Sequence, residues 1–268
     1  MNNTVSMKMF KKIGKVCFHL MKRDKRPFTS AIVLAAGKGE RMKSDGVSKQ
    51  LMEIEGKPVV VHTLLAFQKC RHIDEIIVVG AESELALYKE LKRTYKINKL
   101  KMAVGGGACR ASSAQHGFLS VSKECGFVVI HDAARCLITT EDIDRVIKET
   151  YRTGAVIAAK KATDTIKKTD SRGFITETVD RTSLWLAQTP QAFKKSVYEV
   201  ALAKAGTLDA TITDDAMLVS NAGFRVKVVE CHHENIKITT PEDLPVASLI
   251  LEKRRKLAEE KKQKGNEK

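Results

Sequence analysis

Residues 31–42 read AIVLAAGKGERM. An apolar run of strand character passes straight into Gly37 and Gly39 and then into Arg41. Glycines at a strand end let backbone N–H groups approach phosphate oxygens without interference from a Cβ, and a following helix adds its positive end. The stretch therefore predicts the phosphate cradle of an α/β nucleotide-binding protein. It is not a Walker A loop, because G-x-x-x-x-G-K-[ST] is absent. It is not a dinucleotide fingerprint either: Met42 stands where the third glycine belongs, and no acidic residue follows a second strand at the required interval, which argues against a nicotinamide dehydrogenase. Lys49 follows Arg41 by eight residues. Two cations flanking a backbone cradle suit a triphosphate whose α-phosphorus is attacked, since both can neutralise charge growing on it and on the departing pyrophosphate.

Outward from this stretch, short β-rich runs alternate with helical patterns. The candidate strands are Ala31–Ala36, Glu75–Gly80, Lys101–Val104, Phe127–His131, Ala155–Lys160 and Arg225–Cys231. Between them the spacing predicts helices over Val59–Lys69, Ser83–Tyr95, Arg110–Val121 and Glu141–Arg152. Pro58 fits a helix start, and Thr140 before Glu141 and Asp142 reads as an N-cap with acids in the first turn. For Asp214 and Asp215 a helix start is at least as good a reading as a role in the site. The alternation, with strands apolar on both faces, predicts an α/β fold with a mainly parallel sheet flanked by helices. One segment breaks the rhythm. Thr163–Leu186, TDTIKKTDSRGFITETVDRTSLWL, alternates polar and apolar residues around Ser171-Arg172-Gly173. That pattern predicts an antiparallel hairpin protruding as a β-arm, of the kind that packs on a partner subunit.

The chain has 268 residues, enough for one α/β domain or two small ones. No apolar run reaches the roughly 18–20 residues that cross a bilayer, and the basic N-terminus lacks the features of a secretory signal. Cysteines stand at 17, 70, 109, 125, 136 and 231, with no Cys-x-x-Cys pair and no zinc-type Cys/His spacing. They read as scattered reduced thiols of a cytoplasmic protein. The net charge of +15 invites a nucleic-acid reading, but residues 1–28 hold eight basic side chains and one acid, and residues 252–268 hold eight and four, leaving +4 for everything between. The basicity belongs to the ends and not to a face of the domain, so no specific nucleic-acid partner is expected. The expected organisation is a basic extension over 1–28, a catalytic domain over 29–251 with the arm at about 163–186, and a basic tail over 252–268 that continues a terminal helix. Phe10, Ile13, Val16 or Cys17, and Leu20 share one face of a possible amphipathic helix in the extension. A disordered extension is the preferred reading over a membrane contact.

Further motifs occur in order: GGGACRASS (105–113), VVIHDAAR (128–135), TVDRTSLWLAQTPQAF (178–193), TITDDA (211–216) and NIKITTPEDL (235–244). Together with the glycine loop this set resembles the 2-C-methyl-D-erythritol 4-phosphate cytidylyltransferases of the non-mevalonate isoprenoid pathway, over about residues 30–250. The resemblance implies a Rossmann-like nucleotidyltransferase fold and the reaction of CTP with the sugar-alcohol phosphate to give CDP-methylerythritol and pyrophosphate. It implies Mg²⁺, held mainly by the CTP phosphates with Asp132 as the one protein candidate, and a homodimer whose arms cross to neighbouring sites. Carried over by motif, Arg41 and Lys49 stabilise the pentavalent α-phosphate, and Arg181 and Lys237 hold the attacking phosphate. Asp132, Arg135 and Thr213 contact the methylerythritol phosphate, with Thr165 and Arg181 supplied by the partner's arm. Ala35, Ala36, Gly37, Gly39, Gly107, Ala108 and Ser113 form the CTP pocket.

The chemistry is consistent with those residue types. A phosphate monoester is already anionic near neutral pH and needs no general base. The obstacle is to bring two polyanions together, which preorganised cations and a metal address. The sequence departs from the family at Gly46-Val47-Ser48 before Lys49, where proline is usual, and at Leu51, which replaces an aromatic. Cys136 stands for the usual proline after Arg135, and Ala108-Cys109 for a more polar pair. The nearest alternative substrate is ribitol 5-phosphate, whose cytidylyltransferases share the loop and arm. An alternative of another class is a non-catalytic nucleic-acid or membrane-surface protein acting through its basic ends.

Overall fold

The computed structural model describes residues 26–37 and 48–266. The extension before residue 26, and Gly39 and Arg41 of the glycine loop, lie outside the described residues. The chain opens with β1 (Thr29–Leu34), then a small hairpin of β2 (Glu53–Ile54) and β3 (Lys57–Pro58) that leads into α1 (Val59–Lys69). Next come β4 (Glu75–Gly80), α2 (Leu85–Thr94), β5 (Leu100–Gly105), α3 (Arg110–Leu119), β6 (Phe127–Asp132) and α4 (Thr140–Thr153). After β7 (Ala155–Lys161), β8 (Ile166–Thr169) and β9 (Ile175–Val179), the chain continues through β10 (Trp185–Lys194), α5 (Lys195–Ala205), α6 (Asp215–Asn221), β11 (Lys227–Glu230) and α7 (Asp243–Asn266).

Seven strands form one sheet in the order β11-β7-β10-β6-β1-β4-β5. All neighbours are parallel except β10, which runs antiparallel to both β6 and β7. The sheet is mainly parallel as expected, but β10 was not foreseen. Its pairing shifts register between Ala187 and Gln191, and Gln188, Thr189 and Gln191 are buried polar residues, so the stretch lacks the apolar signature of a central strand. Thr139, not Thr140, caps α4, accepting from the Asp142 N–H at 3.1 Å. The helix expected over 83–95 is a 3₁₀ turn at Glu82–Glu84 followed by α2.

Side chains alternate across the sheet. In β1, Ala31 and Val33 join one core with Val60, Leu64 and Phe67 of α1 and Ile143, Val146 and Ile147 of α4. Ile32 faces the other core, with Phe118 of α3, Tyr198 of α5 and Leu218 of α6. Gly117 allows α3 to press on the sheet: a Cβ there would fall 2.4 Å from Ile32 Cγ2. A third cluster joins Ile54, Cys136, Leu137 and Ile238 to Ala247 of α7. The β8–β9 arm stands clear of these layers. Asp170 Oδ1 accepts from the N–H groups of Arg172 and Phe174 at its tip, where Gly173 takes φ +86°. At its base Ala162 N–H donates to Leu184 O at 3.0 Å.

Candidate active site

From β1 the chain crosses to β4 and β5 on one side, whereas β6 lies on the other side of β1. The crevice beyond the C-terminal ends of β1 and β6 is therefore the topological switch point, the usual ligand site of an open α/β sheet. A cavity of about 640 Å³ opens there. Ala35, Ala36 and Gly37 follow β1 into it, Asp132 ends β6 beside it, and Gly107, Ala108 and Ser113 wall it from the loop and first turn of α3. Lys49, Lys237 and Arg110 supply its cations.

Local chemistry fixes each wall. Gly106 N–H donates to Gly80 O at 2.9 Å, extending the sheet ladder past β5. A Cβ on Gly106 would sit 2.4 Å from the Ala36 methyl, so the two loops meet only because residue 106 is glycine. Ser113 Oγ accepts from Gly107 N–H at 3.0 Å and donates to Cys109 O at 2.9 Å, stapling the loop to α3. Cys109 and Ser112 cap α3 reciprocally, so the unusual cysteine takes a capping role. Lys49 rides on a 3₁₀ turn whose next residue, buried Gln50, donates its side-chain N–H to Ala35 O. That bond ties the lysine-bearing turn to the end of β1.

Asp132 is the only carboxylate among the described residues lining the cavity. Lys237 Nζ donates to its Oδ2 at 2.7 Å and Arg110 Nε to its Oδ1 at 3.2 Å. Burial alone would raise its pKa; the charges of Arg110, Lys237 and Arg135 outweigh that and hold the carboxyl well below the usual carboxylate range. Arg110 reaches further inward. Its Nη1 donates to Asp215 Oδ2 at 2.7 Å, and Tyr198 Oη donates to Asp215 Oδ1 at 2.7 Å. A buried chain of charge thus runs Tyr198–Asp215–Arg110–Asp132–Lys237 from the core to the cavity. His131 behind it is fully buried, and desolvation lowers its pKa to about 3. It is neutral, with Nε2–H donating to Arg135 O at 3.3 Å and Nδ1 accepting from the Thr189 hydroxyl at 3.0 Å, which in turn accepts from Asp132 N–H.

Nine of the residues expected in the site thus line one cavity: Ala35, Ala36, Gly37, Lys49, Gly107, Ala108, Ser113, Asp132 and Lys237. Arg135 does not line it. Its Nη1 donates to Asn235 O at 2.9 Å, bracing the segment that carries Lys237, while its Nε has no partner among the described residues. Thr213 is exposed just before α6, where Asp214 is the N-cap. Thr165 and Arg181 are exposed on the arm, with Arg181 donating to Thr163 O. Sequence reasoning gave no role to Arg110, Gln50 or Asn235, and left Asp215 between a helix start and the site. Arg110 and Asn235 stood inside quoted motifs and Gln50 beside Lys49, but their partners are 15 to 105 residues away, and no local spacing reveals such pairs.

What the arrangement can do is hold and polarise a polyanion: glycine-rich backbone, a helix start, three cations and one neutralised acid. A profile of the 2-C-methyl-D-erythritol 4-phosphate cytidylyltransferases matches residues 29–253. A protein so named from Syntrophus aciditrophicus is 43% identical over 229 residues, 85% of this chain and 97% of the relative. Its counterpart from Alkaliphilus metalliredigens is 40% identical over 227 residues, 84% of this chain and 94% of the relative. Among solved structures, 4-diphosphocytidyl-2C-methyl-D-erythritol synthase from Anaerococcus prevotii is similar with a TM-score of 0.74 and 31% identity, covering 84% of this chain and 99% of that one. With its Rossmann-like nucleotidyltransferase sheet and the cavity at its switch point, the chain belongs to the 2-C-methyl-D-erythritol 4-phosphate cytidylyltransferase family.

Proposed function

We propose that this chain transfers CMP from CTP to 2-C-methyl-D-erythritol 4-phosphate, releasing pyrophosphate and giving 4-CDP-2-C-methyl-D-erythritol. The observation that carries the reading is the placement of Lys49 and the Lys237–Asp132–Arg110 chain around one glycine-walled cavity at the switch point. An oxygen of the substrate phosphate attacks the α-phosphorus of CTP in line, and the bond to the bridging oxygen of pyrophosphate breaks. No proton has to be removed from the nucleophile. Lys49, with Arg41, offsets charge developing at the α-phosphate, and Lys237 holds the attacking phosphate. Asp132 keeps Lys237 aimed into the cavity while remaining ionised, and it is placed to accept from a sugar hydroxyl.

The donor set also bears on the metal. Both oxygens of Asp132 already take cationic N–H groups, so the described residues offer no cage of their own. That fits Mg²⁺ carried on the triphosphate, with Asp132 reaching its water shell. Bound there, the ion would supply charge neutralisation to the phosphates.

We further infer a homodimer with exchanged arms. Thr165 and Arg181 are exposed and do not line the cavity of their own chain, and the arm presents Phe174 and Ile175 at 67% and 63% exposure. A mixing experiment tests this. Lys49→Ala and Arg181→Ala should each be nearly inactive, and subunit exchange between them should restore part of the activity, because one site of each mixed dimer is intact. Absence of rescue in verified mixed dimers would place both residues in one chain's site. No helix among the described residues is long and apolar enough to cross a membrane. The five described cysteines are free, which supports a reaction in the reducing cytoplasm.

A further inference from the structure

A second cluster of ligating groups lies away from the nucleotide cavity. Cys70 and His72 sit on the turn that leads into the N-terminal end of β4, whereas the cavity opens beyond the C-terminal ends of β1 and β6. Asp144, on α4, faces them. One ligand atom from each of the three residues lies within 4.8 Å of the others. Cys70 is fully buried, His72 nearly so, and the Asp144 side chain is 23% exposed.

We propose that Cys70 Sγ, His72 Nδ1 and Asp144 Oδ1 form a site for a zinc-class divalent cation, with solvent in the fourth position. Thiolate, imidazole and carboxylate together select Zn²⁺ over Mg²⁺, because the sulfur is soft and the set carries two negative charges that offset the ion. Zinc bonds of ~2.0–2.3 Å place tetrahedral ligand atoms about 3.3–3.6 Å apart, so on binding the hydrogen-bonded His72–Asp144 pair opens while any wider separation within the 4.8 Å set closes. The surroundings preorganise the set. Cys70 O accepts from Lys99 Nζ at 2.7 Å, and His72 O from Arg26 Nη1 at 3.4 Å, which pins the turn. Asp144 divides its carboxylate: Oδ1 meets His72 Nδ1 while Oδ2 pairs with Lys148. Ligation through Oδ1 therefore leaves the lysine contact in place as an outer partner. Tyr151 packs edge-on to the His72 ring, with centroids 6.1 Å apart, and shields it. Binding replaces the Cys70 thiol proton, which passes to solvent, by the metal–sulfur bond, and exchanges the His72–Asp144 hydrogen bond for two metal bonds, the neutral imidazole keeping its proton on Nε2; no oxidant or reductant is involved. Linear spacing conceals the site, because Cys-x-His is not a zinc motif and the third ligand arrives 72 residues after His72.

The test is titration of the untagged full-length protein with Co²⁺. One equivalent should produce a thiolate-to-cobalt charge-transfer band in the near ultraviolet and the intense visible bands of a tetrahedral ion, and Zn²⁺ should erase both. Cys70→Ser should abolish the charge-transfer band. Asp144→Asn, at the most exposed of the three positions, should weaken Co²⁺ binding about tenfold or more and serves if Cys70→Ser fails to fold. Asp132→Asn, in the nucleotide cavity, should leave the spectrum unchanged. No thiolate band at one equivalent, a band that survives Cys70→Ser, or unchanged affinity in Asp144→Asn would overturn the proposal.

Discussion

Arg110 carries more of the site than its half-buried position suggests. It links the cavity carboxylate Asp132 to the core carboxylate Asp215, and both acids raise the guanidinium pKa against the burial that opposes them. Removing it leaves two buried carboxylates short of a counter-charge. Arg110→Met should cost about 3–5 kcal/mol of stability, read from urea unfolding, and a loss below about 1 kcal/mol would show the chain is not coupled. His131 gives a pH signature. Its native pKa of about 3 lies below the ordinary 6.5, so between those values the unfolded chain binds a proton that the native state refuses. Its contribution is complete above pH 6.5 and is lost as pH falls toward 3. The acid slope of unfolding free energy should be shallower in His131→Gln, by on the order of a few kcal/mol across that window. Equal slopes would contradict the neutral, buried imidazole. At this scale the sequence pointed to Asp132, Lys49 and Lys237, which share one cavity, because their types suit phosphate chemistry. It did not disclose Arg110 and Asp215 as a pair, because 105 residues separate them and only the fold closes that distance.

The parallel strands and the arm were legible from periodicity, since apolar runs of strand length and a polar hairpin each have a local signature. β10 was not, because its polar residues are spent on specific partners. Gln191 donates to Asp214 Oδ2 at 2.8 Å and accepts from Ala216 N–H at 2.9 Å, which sets α6 on the sheet. Such a strand reads as loop until those partners are known. Helix α3 depends on a close approach that composition does not advertise. In Gly117→Ala the new methyl would meet Ile32 Cγ2 at 2.4 Å and Val79 Cγ2 at 2.8 Å. The variant should lose about 1–3 kcal/mol as helix and sheet separate, with a fall in CTP affinity because the pocket loop starts α3. Unchanged thermal stability would mean that the helix shifts without strain.

Across the molecule, most of the +15 charge belongs to the two ends. Helix α7 nevertheless crosses residue 252 without a break, and Arg254 donates to Leu137 O at 2.7 Å and pairs with Glu234. The start of the C-terminal basic stretch is therefore part of the packed domain. Removing residues 1–25 should leave turnover nearly unchanged, whereas truncation at residue 252 should lower the unfolding temperature by exposing the cluster around Leu137 and Ala247. Equal stability of the two truncations would contradict that asymmetry. Pyrophosphate release reads the reaction itself. Purified protein with CTP and Mg²⁺ should release pyrophosphate with 2-C-methyl-D-erythritol 4-phosphate and not with ribitol 5-phosphate. Release with ribitol 5-phosphate alone, or with neither, would rule out methylerythritol phosphate as this enzyme's substrate.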